Sequence, residues 1–131
     1  MGKYNLIFVY GTLKRGCGNN HYLDDATFLG EAETCEKYHM KRHECWYPAV
    51  IENINDYSVS IQHTYPITGE LWRCSESTAK SLDRLEGYPD LFYRKEIPIM
   101  QDAKVINAWM YFFNYHLKDE LKEIILEWKE D

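Results

Sequence analysis

The first apolar run of the chain, Leu6-Ile7-Phe8-Val9-Tyr10, has no polar interruption and stops at Gly11. A short continuous run with β-branched and aromatic members predicts a buried strand over 5–10. Residues 19–24 predict a helical turn, 34–40 a strand, and 49–52 another after Pro48. From 53 to 74, β-branched and polar residues alternate, with turn chemistry at Asn55-Asp56 and Pro66, predicting two more strands. The period then changes. "SESTAKSLDRLEG" predicts a helix opened by Ser75 or Ser77 as N-cap and closed by Gly87 in a left-handed conformation. Beyond Pro89, 92–100 and 105–114 read as strands. Leu117, Leu121, Ile124, Ile125 and Trp128 recur at the 3.6-residue spacing of a final amphipathic helix within 116–131.

Strands in the majority, with two helices in non-alternating order, predict an α+β fold built on a small, mostly antiparallel, barrel-like sheet. No linker, repeat or low-complexity segment divides the chain, so residues 1–131 are expected to form a single domain long enough to bury a core unaided. The 45% hydrophobic and 15% aromatic content, including 11 tyrosines, is that of a globular protein.

A formal charge of -6 opposes a general affinity for nucleic acid or for anionic membranes, both of which require a basic surface. No apolar run approaches the roughly 18 residues of a membrane span, and residues 1–10 lack the pattern of a secretory leader, so a cytoplasmic location is expected. Cys17, Cys35, Cys45 and Cys74 are irregularly spaced and read as reduced thiols. His39, His43 and Cys45 in "HMKRHECW" are the nearest approach to a ligand set. With no second ligand pair at usable spacing, they read as polar residues on a strand-loop segment, and no metal is expected.

Two stretches carry candidate chemistry. After the first strand, Tyr10, Gly11, Thr12 and Leu13 form a turn at which the backbone can approach a ligand closely, and successive N–H groups can cradle a carboxylate or phosphate. It is neither a P-loop nor a dinucleotide fingerprint, since GxxxxGK[ST] and GxGxxG are both absent. The second stretch is "SLDRLEGYP". At 100° per residue Glu86 falls on the side of Ala79 and Leu82, so a carboxylate is aimed where apolar side chains are buried. A buried glutamate needs a partner or a task. Two readings follow: a salt bridge to Arg94 or Arg73, or a general base whose pKa is raised by desolvation and by the helix C-terminus. Asp83, the neighbouring carboxylate, is assigned the structural role of holding backbone or an arginine.

Together, "FVYGTLKRGCGNNHYL", with Gly16 and Asn19 as its GxxN element, then "YPAVIE", "ITGELW", "LDRLEGYPDLFYRKEI" and "AWMYFFN" resemble the γ-glutamylcyclotransferase-like (AIG2-like) superfamily, in that family's order and over nearly the whole chain. The short length and the FVYGTLKRG start look most similar to the γ-glutamylamine cyclotransferases. The resemblance implies a mixed β-barrel flanked by helices, a cavity formed partly by the YGTL loop, and a single catalytic glutamate at Glu86. It further implies a small-molecule γ-glutamyl substrate whose own α-amine closes on its γ-carbonyl to give 5-oxoproline and a free amine, with no cofactor. In that scheme Glu86 moves the proton and Tyr10–Leu13 hold the α-carboxylate. The alternatives are a binding protein that keeps the cavity without catalysis, and a hydrolase in which Glu86 activates water. Tyr93 and Tyr111 are candidate cavity walls, Cys17 reads as a surface thiol, and Arg94 either orients the loop after Glu86 or neutralises it.

Overall fold

The computed structural model describes residues 4–43, 47–51, 64–113 and 121–124. Its strands are β1 (Tyr4–Val9), β2 (Thr27–His43), β3 (Tyr47–Ile51), β4 (Tyr65–Ser75), β5 (Phe92–Gln101), β6 (Lys104–Phe113) and β7 (Leu121–Ile124). A 3-10 turn, Asn20–Leu23, follows β1, and one α-helix, α1 (Glu76–Glu86), lies between β4 and β5. Five strands close a ring: β1 pairs with β4, β4 with β2, β2 with β5, β5 with β6, and β6 with β1. Only the β1–β6 contact is parallel, so the barrel is mixed and mostly antiparallel.

Closure depends on β2, which is 17 residues long and shifts register against β4 between Phe28 and Gly30 and again between Glu33 and Lys37. Such irregularities bend a strand and increase its twist. At the second one the buried Thr34 hydroxyl accepts the Ile67 N–H at 2.8 Å and donates to the Glu36 carbonyl at 2.6 Å, so the interrupted ladder leaves these groups paired.

The apolar run of β1 is continuous because both of its faces are covered. Phe8 and Tyr10 enter the barrel interior with Leu71, Ile99, Met110 and Phe112, whereas Ile7 and Val9 pack outside with Leu82, Trp72, Tyr111 and Phe113. The outer layer is where α1 sits.

The helix expected within 116–131 is not formed at 121–124. There β7 pairs antiparallel with β2, Lys41 opposite Ile124 and His43 opposite Leu121. The far half of β2 has hydrogen-bonding edges to satisfy, and β3 (His39 to His43 opposite Ile51 to Tyr47) and β7 both pair with it. Tertiary pairing thus overrides local helical spacing, and the described barrel is flanked by one α-helix and a 3-10 turn rather than by two helices. The rest of that expected helix, the strand expected within 53–63, and Cys45 lie outside the described residues, as do the side chains of His39 and His43. No helix among the described residues is long and apolar enough to cross a membrane.

Candidate active site

β1 ends with Val9 opposite Glu70, and the chain then leaves the sheet as a tight loop. At Gly11 the loop presses on Pro48 of β3: a Cβ there would stand 2.7 Å from Pro48 Cγ, so a side chain cannot be accommodated without displacement. The loop is stapled from downstream. Lys14 N–H donates to the Gly11 carbonyl at 3.1 Å, and Asn19 N–H to the Thr12 carbonyl at 2.9 Å. The Asn19 side-chain amide reaches Thr12 Oγ1, and that of Asn20 the Leu13 carbonyl, both at 2.9 Å. Among the described residues the N–H groups of Gly11, Thr12 and Leu13 find no acceptor.

Facing this loop is the C-terminal end of α1. Ser75 Oγ accepts the Thr78 N–H at 3.2 Å, the first of the two N-cap alternatives. At the other end Gly87, at φ 67°, turns the chain so that Tyr88 N–H reaches the Asp83 carbonyl at 2.9 Å. Leu82 is fully buried against the sheet, which turns the same side of the last helical turn inward. Glu86 and Leu85 thereby meet the Tyr10–Leu13 loop across a cavity of about 430 Å³, completed by Asn19, Pro48, Leu91, Phe92 and Tyr111. Glu86 is the one charged side chain among the described lining residues. Burial pushes its carboxyl up to about 7, and among the described residues no cation pairs with it.

Arg94, a candidate partner of Glu86 on sequence grounds, is engaged elsewhere. Its Nε and a terminal nitrogen donate to the two oxygens of Asp83 at 2.9 and 3.3 Å. Asp83 also accepts the Tyr111 hydroxyl at 2.6 Å, and burial together with Asp83 raises the Tyr111 pKa so that it stays protonated. Asp83 therefore holds an arginine, and Arg94 leaves Glu86 un-neutralised.

The structure brings together Glu86, the Tyr10–Leu13 loop and Tyr111. Tyr93 is not part of the cavity: on the opposite face of β5 from Phe92, it packs against the barrel interior and stacks on Phe112 at 5.7 Å. Cys17 also lies off the described lining. Pro48, Leu85, Leu91 and Phe92 were not singled out by the sequence. Their apolar character marks them for packing, and only the ring closure of the sheet decides which packed residues border a void.

Residues 7–130 match the family model described as gamma-glutamyl cyclotransferase, AIG2-like. A Methanocaldococcus jannaschii protein, provisionally named a gamma-glutamylcyclotransferase, is 38% identical over 109 residues, covering 82% of each chain. The gamma-L-glutamyl-butirosin B gamma-glutamyl cyclotransferase of Niallia circulans is 27% identical over 130 residues, covering 95% of this chain and 75% of its own. In the crystal structure of a Mus musculus AIG2-like protein the same fold recurs, at a TM-score of 0.72 and 22% identity, over 93% of this chain and 88% of that one. A barrel closed by five strands, a loop of sequence YGTL and a match over nearly the whole length therefore agree: this chain belongs to the gamma-glutamyl cyclotransferase, AIG2-like family of enzymes.

Proposed function

We propose that the protein cyclises γ-glutamyl amines to 5-oxoproline with release of the free amine, Glu86 carrying the proton. The observation that carries this reading is a glutamate with no cation among the described residues, raised to about 7, facing across one cavity a loop with three amides that meet no acceptor among the described residues. The loop amides hold the substrate α-carboxylate and fix the folded conformer. The α-ammonium gives one proton to Glu86, and the freed amine nitrogen attacks the γ-carbonyl carbon. The tetrahedral species then collapses as the bond to the leaving nitrogen breaks; Glu86 returns its proton to that nitrogen, which also takes up the second proton shed by the ring nitrogen and leaves as an ammonium. One C–N bond forms, one breaks, and no water is consumed.

The raised pKa suits the transfer. An α-ammonium titrates near ~8, so an ordinary glutamate is mismatched to it by about 3.5 units, or about 5 kcal/mol. At about 7 the mismatch falls to about one unit, near 1.4 kcal/mol. The preference for amines over γ-glutamyl peptides rests on the lining: a peptide leaving group brings a second carboxylate, and the described walls offer it no cation.

The test is a panel of γ-glutamyl-lysine, γ-glutamyl-alkylamines, γ-glutamyl-alanine and glutathione, scored for 5-oxoproline. Release from the amines is expected. Preference for glutathione overturns the amine assignment, free glutamate identifies a hydrolase, and no turnover with any member leaves a binding protein.

A further inference from the structure

Glu70, on β4, is a buried carboxylate that lies outside the described cavity lining. Its side chain is only 9% exposed, and its oxygens are claimed by three donors. Oε1 accepts the Arg15 main-chain N–H at 2.9 Å and the Trp72 indole N–H at 3.2 Å, and Oε2 accepts Arg15 Nε at 3.3 Å. The Arg15 guanidinium in turn lies 3.7 Å from the centre of the Phe28 ring, which meets Trp72 edge-on at 5.3 Å. The main chain of Glu70 faces Val9 in the β1–β4 ladder. Val9 and Arg15 are the residues on either side of the loop 10–14, so one residue of β4 grips the loop at both ends, by backbone register at its start and by carboxylate at its finish.

We propose that Glu70 is a positioning residue for substrate binding, closing the loop 10–14 so that its amides are fixed before the substrate arrives. This rests on the reading of that loop as the α-carboxylate clamp. A loop tied at both ends meets the substrate without first being ordered, and preorganisation of that kind appears chiefly in affinity. The described partners of Glu70 are Arg15 and Trp72 and not Glu86, so the larger share of its loss is expected in KM.

The experiment compares wild type with Glu70→Ala and Glu70→Gln, each checked for a cooperative melt above the assay temperature. KM for a γ-glutamyl amine is expected to rise about tenfold in Glu70→Ala, with kcat within about threefold of wild type. Binding of 5-oxoproline, which keeps the carboxylate, is compared with that of 2-pyrrolidinone, which lacks it. Wild type should prefer 5-oxoproline strongly, and Glu70→Ala should lose most of that preference by losing affinity for 5-oxoproline alone. Glu70→Gln keeps one acceptor oxygen and should fall between them; if the alanine variant does not fold, it carries the test by the same ratio. Unchanged discrimination in a folded variant, or a fall in kcat at constant KM, overturns the role of Glu70. A wild type that binds both ligands equally overturns the carboxylate clamp and, with it, this proposal.

Discussion

Asp83 and Glu86 are carboxylates three residues apart on one helix, and their surroundings give them opposite behaviour. Asp83 accepts two hydrogen bonds from Arg94 and one from Tyr111, while Arg94 is further held over the rings of Tyr88 and Trp109 at 4.8 and 4.9 Å. Glu86 has burial without a described cation, and its pKa rises to about 7. The two arrangements depend on each other. By occupying Arg94 on β5 and Tyr111 on β6, Asp83 ties α1 to the barrel and keeps the nearby guanidinium from neutralising the carboxylate one turn away.

The largest effect expected from breaking this contrast is on turnover. Glu86→Gln keeps the shape and removes the proton acceptor, so 5-oxoproline formation should fall by about 10² to 10⁴-fold with product binding retained. Activity within tenfold of wild type would take Glu86 out of the mechanism. In the proposed mechanism the working form is the carboxylate, so kcat should rise with pH through about 7 and then level.

The next effect is on folding. Asp83→Asn leaves a partly buried Arg94, its side chain 30% exposed, without its counter-charge. Urea unfolding should show a loss of about 2 kcal/mol, with kcat within about tenfold of wild type. The acid limb of the rate profile sharpens the comparison. A guanidinium released from Asp83 that reaches Glu86 stabilises its charged form, so the limb should move below its wild-type position. A variant that keeps full stability and loses turnover would reverse the two assignments.

How far the sequence leads differs between these elements. The helix and both of its caps are legible because they depend on local chemistry: Ser75 and Gly87 occupy the positions that capping requires. The inward aim of Glu86 follows from helical periodicity. The role of Arg94, orienting or neutralising, is open in the sequence because it depends on how β5 and β6 are placed under α1. Tyr93 and Tyr111 look alike in sequence, but only Tyr111 sits on the helix-facing side of the sheet. At 121–124 helical spacing gave way to the edges of β2, a requirement set by residues some eighty positions upstream. Asn19 belongs to the GxxN element, while the bonds that it and Asn20 make to the loop depend on the fold.

The smallest effect expected is a pH-dependent gain in stability on removing the proposed base. Glu86 holds its proton in the folded state up to about 7, above the ordinary glutamate value of 4.5. Between those values the folded chain binds a proton that the unfolded chain has released. Stability due to this group is therefore full below about 4.5 and declines as pH rises through about 7. Glutamine remains neutral throughout, so the two proteins should be equally stable near pH 4 and diverge above it. A desolvation shift of this size has an upper bound near 3 kcal/mol. Because the carboxyl borders an open cavity, solvent screening reduces the expected gain of Glu86→Gln at pH 8 to about 1 kcal/mol. Parallel urea titrations at pH 4, 6 and 8 measure the divergence. Curves that keep a constant separation across that range would show that Glu86 titrates as an ordinary solvated carboxylate, and the contrast with Asp83 would then rest on hydrogen bonding alone.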